Sequence, residues 1–230
     1  GCRLRSAPVP RQTVGPYLFA MQSDAAAPAG TWLSLDDAAL AGALCDVVRD
    51  GAAAVPALSL PARRDLIRAA DVLSFRAARP VVGSGARAVT QSFEIADTVP
   101  ESGPLAEVAR ELAARLNAAC ARADTPGCPQ IAFNDRVVQR YPACDVGISP
   151  HKDHIRYVHL VVNLVLQGFA RFYICPQRSF EHAVEIAGAA GDALIMRAPG
   201  FAGSDHRPFH AIGDVAQERL VLGLRQDARR

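Results

Sequence analysis

The chain has 230 residues, half of them apolar and 21% charged, a globular composition that excludes wholesale disorder and fibrous repeats. Twenty-five basic residues against 23 acidic ones leave a formal charge of +2, too small to announce a nucleic-acid partner. No apolar run approaches the ~20 residues of a membrane-spanning helix.

Residues 1–30 read as a tail or tag-like extension. Its longest apolar stretch, Tyr17–Met21, is too short for a signal-peptide core. Residues 31–230 are expected to form one domain. Ser34 followed by Asp37 resembles a capping box, and Leu40, Leu44, Val47 and Val48 then recur on one helical face. Ala52 to Leu60 reads as a strand. Ser59 and Pro61 start a second helix with Leu66, Ile67, Ala70 and Leu73 on its buried side. Ala77 to Val99 has no clear period and is expected to hold loops and edge strands. A third helix begins after Ser102 with Pro104 in its first turn. Leu105, Val108, Leu112, Leu116 and Ala119 form its stripe.

Beyond the loop at 124–129 the pattern changes to short strands, at about 131–141, 157–166, 170–175, 182–187, 191–198 and 218–225. Gly168, Gly188, Gly191, Gly200 and Gly203 punctuate them. The expected fold is α+β: a double-stranded β-helix (jelly-roll) core over about 131–226, with the N-terminal helices packed on one face. The six cysteines include no C-x-x-C pair, so reduced thiols and a cytoplasmic protein are expected.

Chemistry concentrates late in the chain. All six histidines (His151, His154, His159, His182, His206 and His210) fall within 60 residues. Unrelated surface histidines are the bland alternative. His151 and Asp153 are separated by one residue, so on a strand they share a face. A later histidine followed by an arginine strengthens the pair. His206 lies 13 residues before Arg219 and His210 lies 9 before it. Two imidazoles and one carboxylate make a facial set that leaves three positions open on iron(II).

With His151-Lys152-Asp153, Gly191-Asp192 opening an apolar strand, His210 and Arg219, the segment from Phe133 to Gln226 resembles the iron(II)- and 2-oxoglutarate-dependent oxygenases. Gln139-Arg140-Tyr141 resembles an Asn-Arg-Tyr of the AlkB-type branch, and Arg219 and Arg225 repeat that branch's pair of arginines six apart. The resemblance implies His151, Asp153 and His210 as iron ligands, the spacing to Arg219 favouring His210 over His206. It implies O2 and 2-oxoglutarate as co-substrates. Arg219 would fork onto the far carboxylate of 2-oxoglutarate, with Tyr141 adding a phenolic hydrogen bond. Arg225 shares a strand face with Arg219. Asn163, the one polar residue between Leu160 and Leu166, needs a partner, either the co-substrate or the backbone.

The reaction expected is hydroxylation of a C–H bond in a small molecule, coupled to decarboxylation of 2-oxoglutarate to succinate. AlkB-type removal of an alkyl group from a nucleobase is the rival: Arg63, Arg64, Arg68, Arg76, Arg79 and Arg87 supply charge, but the N-terminal half has few aromatics. A cupin-like metal protein without oxygenase activity is the third reading. Phe201 and Phe209 are candidates to roof a pocket, or else core side chains.

Overall fold

The computed structural model describes residues 31–122 and 129–230. The readings of residues 1–30, and most of the loop at 124–129, lie outside them. In the N-terminal half, α1 (Asp37–Asp50) is capped by Asp36, whose carboxylate accepts the Ala39 N–H at 2.7 Å. The expected Ser34 box is displaced by this nearer acid. Strand β1 (Ala52–Pro56) ends four residues before the expected Leu60, because Pro56 has no N–H to extend the ladder. Ser59 then accepts the Ala62 N–H at 3.4 Å and opens α2 (Leu60–Asp71). Four strands of two or three residues follow: β2 (Arg76–Ala77), β3 (Val81–Val82), β4 (Val89–Thr90) and β5 (Glu94–Ala96). Helix α3 (Pro104–Arg122) starts with proline in its first turn, as its sequence predicts.

The second half supplies β6 (Asp135–Tyr141), β7 (Ile148–His151), β8 (Tyr157–Gln167), β9 (Arg171–Cys175), β10 (Val184–Ile186), β11 (Asp192–Arg197), β12 (Phe209–Gly213) and β13 (Arg219–Asp227). They form two antiparallel sheets. One runs β1-β11-β8-β13-β6-β5-β2, the other β10-β9-β12-β7, while β3 and β4 pair as a separate hairpin. Two further strands, β7 and β12, fall between the segments where the apolar pattern predicts strands.

Strand parity sorts the side chains. On β8 and β13, Leu160, Val162, Leu164, Leu166, Leu220, Leu222 and Leu224 pack against the buried stripes of the three helices. Val161, Val165 and Val221 point the other way, joining Phe172, Ile148 and Ile212 of the smaller sheet. Burying both faces explains why these strands read as nearly continuous apolar runs. The same parity turns Tyr141, Asn163, Arg219 and Arg225 toward the space between the sheets.

The β8–β9 turn depends on Gly168, at φ +76°, where a Cβ would lie 1.9 Å from the Glu218 carbonyl oxygen. Gly168→Ala is expected to cost about 3 kcal/mol, combining left-handed strain with overpacking. In a domain this size that lowers Tm by about 10 °C. Gly203 has φ +69° but open space around it, so Gly203→Ala should cost only the conformational part. Equal melting temperatures for the two variants would refute the steric reading.

Cys120 is disulfide-bonded while Cys45, Cys144 and Cys175 are free, which corrects the expectation of reduced thiols throughout; no cysteine motif signalled the bond. Among the described residues, no helix is long and apolar enough to cross a membrane.

Candidate active site

His151 on β7 stands directly opposite His210 on β12 in the antiparallel ladder. The ring centroids are 4.2 Å apart, inclined at 53°. Asp153 completes the group. A ligand atom from each of the three lies within 4.8 Å of the others, and His210 Nε2 is 3.9 Å from Asp153 Oδ2. Strand β7 stops at His151, so the shared-face argument does not by itself aim the carboxylate. Asp153 reaches the site from the segment just past the strand. There Arg207 Nη1 donates to the Asp153 backbone carbonyl at 2.6 Å.

Two further hydrogen bonds settle which ring nitrogens face the centre. His151 Nδ1 donates to the Ser149 carbonyl at 2.9 Å, and His210 Nδ1 donates to the Pro208 carbonyl at 3.4 Å. A carbonyl only accepts, so each Nδ1 carries the proton and each Nε2 keeps its lone pair. Burial, reinforced by His151 and opposed by Asp153, pushes the His210 pKa down to about 4. Burial pushes the Asp153 carboxyl up, yet His210, Arg225, His151 and Arg207 together hold it below its ordinary value. At neutral pH His210 is neutral and Asp153 ionised, the protonation a divalent metal requires of these groups.

The three groups line one end of a cavity of about 40 Å³ between the sheets, shared with Tyr141, Asn163, Arg219 and Arg225. Arg219 is 2% exposed. Its Nε is buried without a hydrogen-bond partner, and among the described residues no carboxylate pairs with it. The nearest compensation is the ring of Tyr141, 5.4 Å away and opposite Arg219 in the β6–β13 register. Burying an ion without a counter-ion costs several kcal/mol. This end of the cavity is therefore built for an anion. Tyr141 is 2% exposed, and burial, only partly offset by Arg219 and Arg225, pushes its pKa up to about 12. Its hydroxyl remains a donor at physiological pH.

Arg225 lies 3.8 Å from Asp135 and 5.2 Å from the centroid of Tyr157, its Nε also buried and unpartnered. Asn163, across the ladder from Gly223, makes no side-chain hydrogen bond to the backbone among the described residues and is turned into the cavity. These residues could hold iron(II) at one end and a dicarboxylate extending to Arg219.

Other candidates stand elsewhere. His206 Nδ1 contacts Arg197 Nη2 at 2.9 Å, outside the group of three. His154 accepts the Arg156 N–H at 3.2 Å, and His182 is exposed. His159 adopts φ +67° beside Gly200. Phe201 is fully buried in the helix-side core, which removes it as a pocket roof. Phe209, next to His210 on β12, borders a separate cavity of about 210 Å³.

Arg207 had no signal in the sequence, since its role depends on the path of the main chain at Asp153. Arg207→Ala should weaken metal binding ten- to hundredfold, the range typical of groups that orient a ligand, with the melting temperature of the metal-free protein little changed. Competitive titration with a metal-sensitive dye measures it; wild-type affinity would mean that Asp153 is held by other contacts.

No family model and no curated protein matches the chain. Solved structures do. A 2OG-Fe(II) oxygenase family oxidoreductase from Burkholderia pseudomallei superposes with a TM-score of 0.59 at 13% identity, covering 82% of this chain and 91% of the other. A Trichoplax adhaerens prolyl hydroxylase, solved with a hypoxia inducible factor oxygen degradation domain peptide fragment, gives 0.58 at 12% identity over 84% and 90%. OsALKBH1 gives 0.52 at 16% identity over 76% and 98%. With antiparallel sheets and helices arranged as described, the chain has the fold of the 2OG-Fe(II) oxygenases.

Proposed function

We propose that the protein is an iron(II)- and 2-oxoglutarate-dependent oxygenase that hydroxylates a C–H bond of a small-molecule substrate. The observation that carries this reading is the buried, unpaired guanidinium of Arg219 in the same small cavity as three convergent metal-type donors. In this reading the two sheets are the halves of a jelly roll, and residues 31–230 form one domain.

His151 and His210 offer Nε2 and Asp153 offers a carboxylate oxygen, a facial set suited to iron(II). Arg219 forks onto the far carboxylate of 2-oxoglutarate, where the planar guanidinium fixes direction as well as charge. The Tyr141 hydroxyl donates a second hydrogen bond, and Arg225 and Asn163 line the remainder of the co-substrate's bed. With iron(II) bound, the co-substrate and O2 supply the oxidation: one oxygen atom enters the substrate C–H bond and the other enters succinate as CO2 leaves. The apolar side chains Val161, Phe172 and Ile212 border the site and keep water from the reacting groups.

Anaerobic addition of iron(II) and 2-oxoglutarate to the purified protein tests this reading. Chelation is expected to give a visible charge-transfer band that neither component gives alone. No band at saturating concentrations would overturn the assignment.

A further inference from the structure

Outside the small cavity lies a cleft of about 600 Å³ that shares Gln139, Ile148, His151, Asp153 and Arg225 with it. That volume suits a drug-sized molecule, and its lining combines apolar and cationic residues. One wall is apolar: Val82 and Val89 from the β3–β4 hairpin, Phe93, Ile95 from β5, Val137 from β6 and Ile148 from β7. Val82 is 47% exposed and Phe93 9%, so the wall passes from open hairpin to closed interior as it nears His151.

A second set of lining residues is cationic. Arg156 lies 3.2 Å from Asp227, which also takes Arg229 at 2.9 Å. Arg225 and Arg230 share Asp135, at 3.8 and 3.5 Å. Of these four guanidinium groups on two carboxylates, Arg156, Arg225 and Arg230 line the cleft while Arg229 and Asp227 do not, and the surplus is not neutralised within the group. Lys152 borders both this cleft and the separate cavity at Phe209, over whose ring it lies at 4.5 Å, and has no carboxylate partner among the described residues. The other acids on the cleft are engaged: Asp97 with Arg76, and Asp153 in the group of three.

We infer that the cleft binds a substrate pairing an apolar chain with an anionic head group, a carboxylate or a phosphate. The anion is held by Arg156 and Arg230, and the chain lies along the Val82–Ile148 wall with a C–H bond presented at His151 and Asp153. This rests on the oxygenase reading for the reaction, R–H + O2 + 2-oxoglutarate giving R–OH + succinate + CO2. The binding chemistry itself follows from the cleft. A nucleic-acid strand fits less well, because strand binding uses exposed aromatic platforms along a cationic track. Here Phe93 is buried, and the Tyr157 ring is flanked by Arg156 and Arg225 at 4.7 and 5.2 Å.

The test is calorimetry on the full chain, kept anaerobic with iron(II) and 2-oxoglutarate, using octanoate, octyl phosphate, octanol, octylamine and a ten-residue oligothymidylate as probes. Octanoate or octyl phosphate is expected to bind at least about tenfold more tightly than octanol and octylamine, as loss of one charge-assisted hydrogen bond predicts. Whichever of the two acids binds better identifies the head group. Arg156→Gln and Arg230→Gln should each weaken that binding about fivefold. Arg230 is 62% exposed, so its variant keeps the test decisive if Arg156→Gln folds poorly. Octanol or octylamine matching the acids, undiminished binding in a folded variant, no binding by any probe, or tighter binding of the oligothymidylate would each overturn the inference. The charge-transfer band separates the two claims. A normal band without acid binding removes only this inference, whereas acid binding without a band removes the oxygenase reading and leaves the anion cleft standing.

Discussion

Asp153→Ala is expected to lower iron(II) affinity by at least about a hundredfold, the upper end of what loss of a merely supporting group costs, and to abolish turnover with it. The carboxylate is the one anionic donor in the group; without it, two neutral imidazoles hold a hard divalent ion weakly. The fold should survive. Asp153 lies past the end of β7 with its side chain 22% exposed, and Arg207 holds its backbone carbonyl rather than its carboxylate. Equilibrium dialysis with iron(II), alongside a thermal melt, separates loss of the ion from loss of the protein. Near-normal iron binding by a folded variant would mean that the three groups do not act together on a metal.

Arg219→Met is expected to move two measurements in opposite directions. Two charge-assisted hydrogen bonds to a carboxylate, at roughly 1.5–3 kcal/mol each, are lost, so 2-oxoglutarate affinity should fall more than about a hundredfold while iron binding persists. In the absence of 2-oxoglutarate the variant should melt higher than wild type. Arg219 is an ion in the interior without an opposite charge, and even for buried ion pairs exchange for apolar residues of similar volume is often stabilising by about 1–4 kcal/mol. A simple packing role predicts the reverse sign for stability. Unchanged 2-oxoglutarate affinity would remove Arg219 from the site.

The helices were legible because caps and a 3.6-residue period coincide, as at Ser59 and Pro104. Strands β8, β11 and β13 were legible because both of their faces are buried, leaving long apolar runs between glycines. Strands β7 and β12 were not. Each has only four or five residues, and Pro150, His151 and His210 break the apolar alternation at the positions where the site is built. Strands β2 to β5 are too short for any period to register. Three donors and an arginine could be picked out by type and spacing, but how Asp153 reaches the others is set by the chain beyond His151 and by Arg207. Asn163 and Arg219 stood out for a common reason: each is polar in a strand whose neighbours are apolar. Parity places both between the sheets. The charge surplus around Asp135 and Asp227 draws on contacts distant in sequence, such as Arg156 with Asp227 and Arg225 with Asp135, which no local pattern records.

The central claim is one ion held by His151, Asp153 and His210, with a dicarboxylate reaching from it to Arg219. The most direct measurement is an anaerobic crystal structure with manganese(II) in place of iron and 2-oxoglutarate, the metal located by anomalous scattering. The expected result is a single strong peak bonded to both Nε2 atoms and the Asp153 carboxylate, with the far carboxylate of 2-oxoglutarate forked onto the Arg219 guanidinium. A peak at other residues, or 2-oxoglutarate bound away from Arg219, would contradict the account.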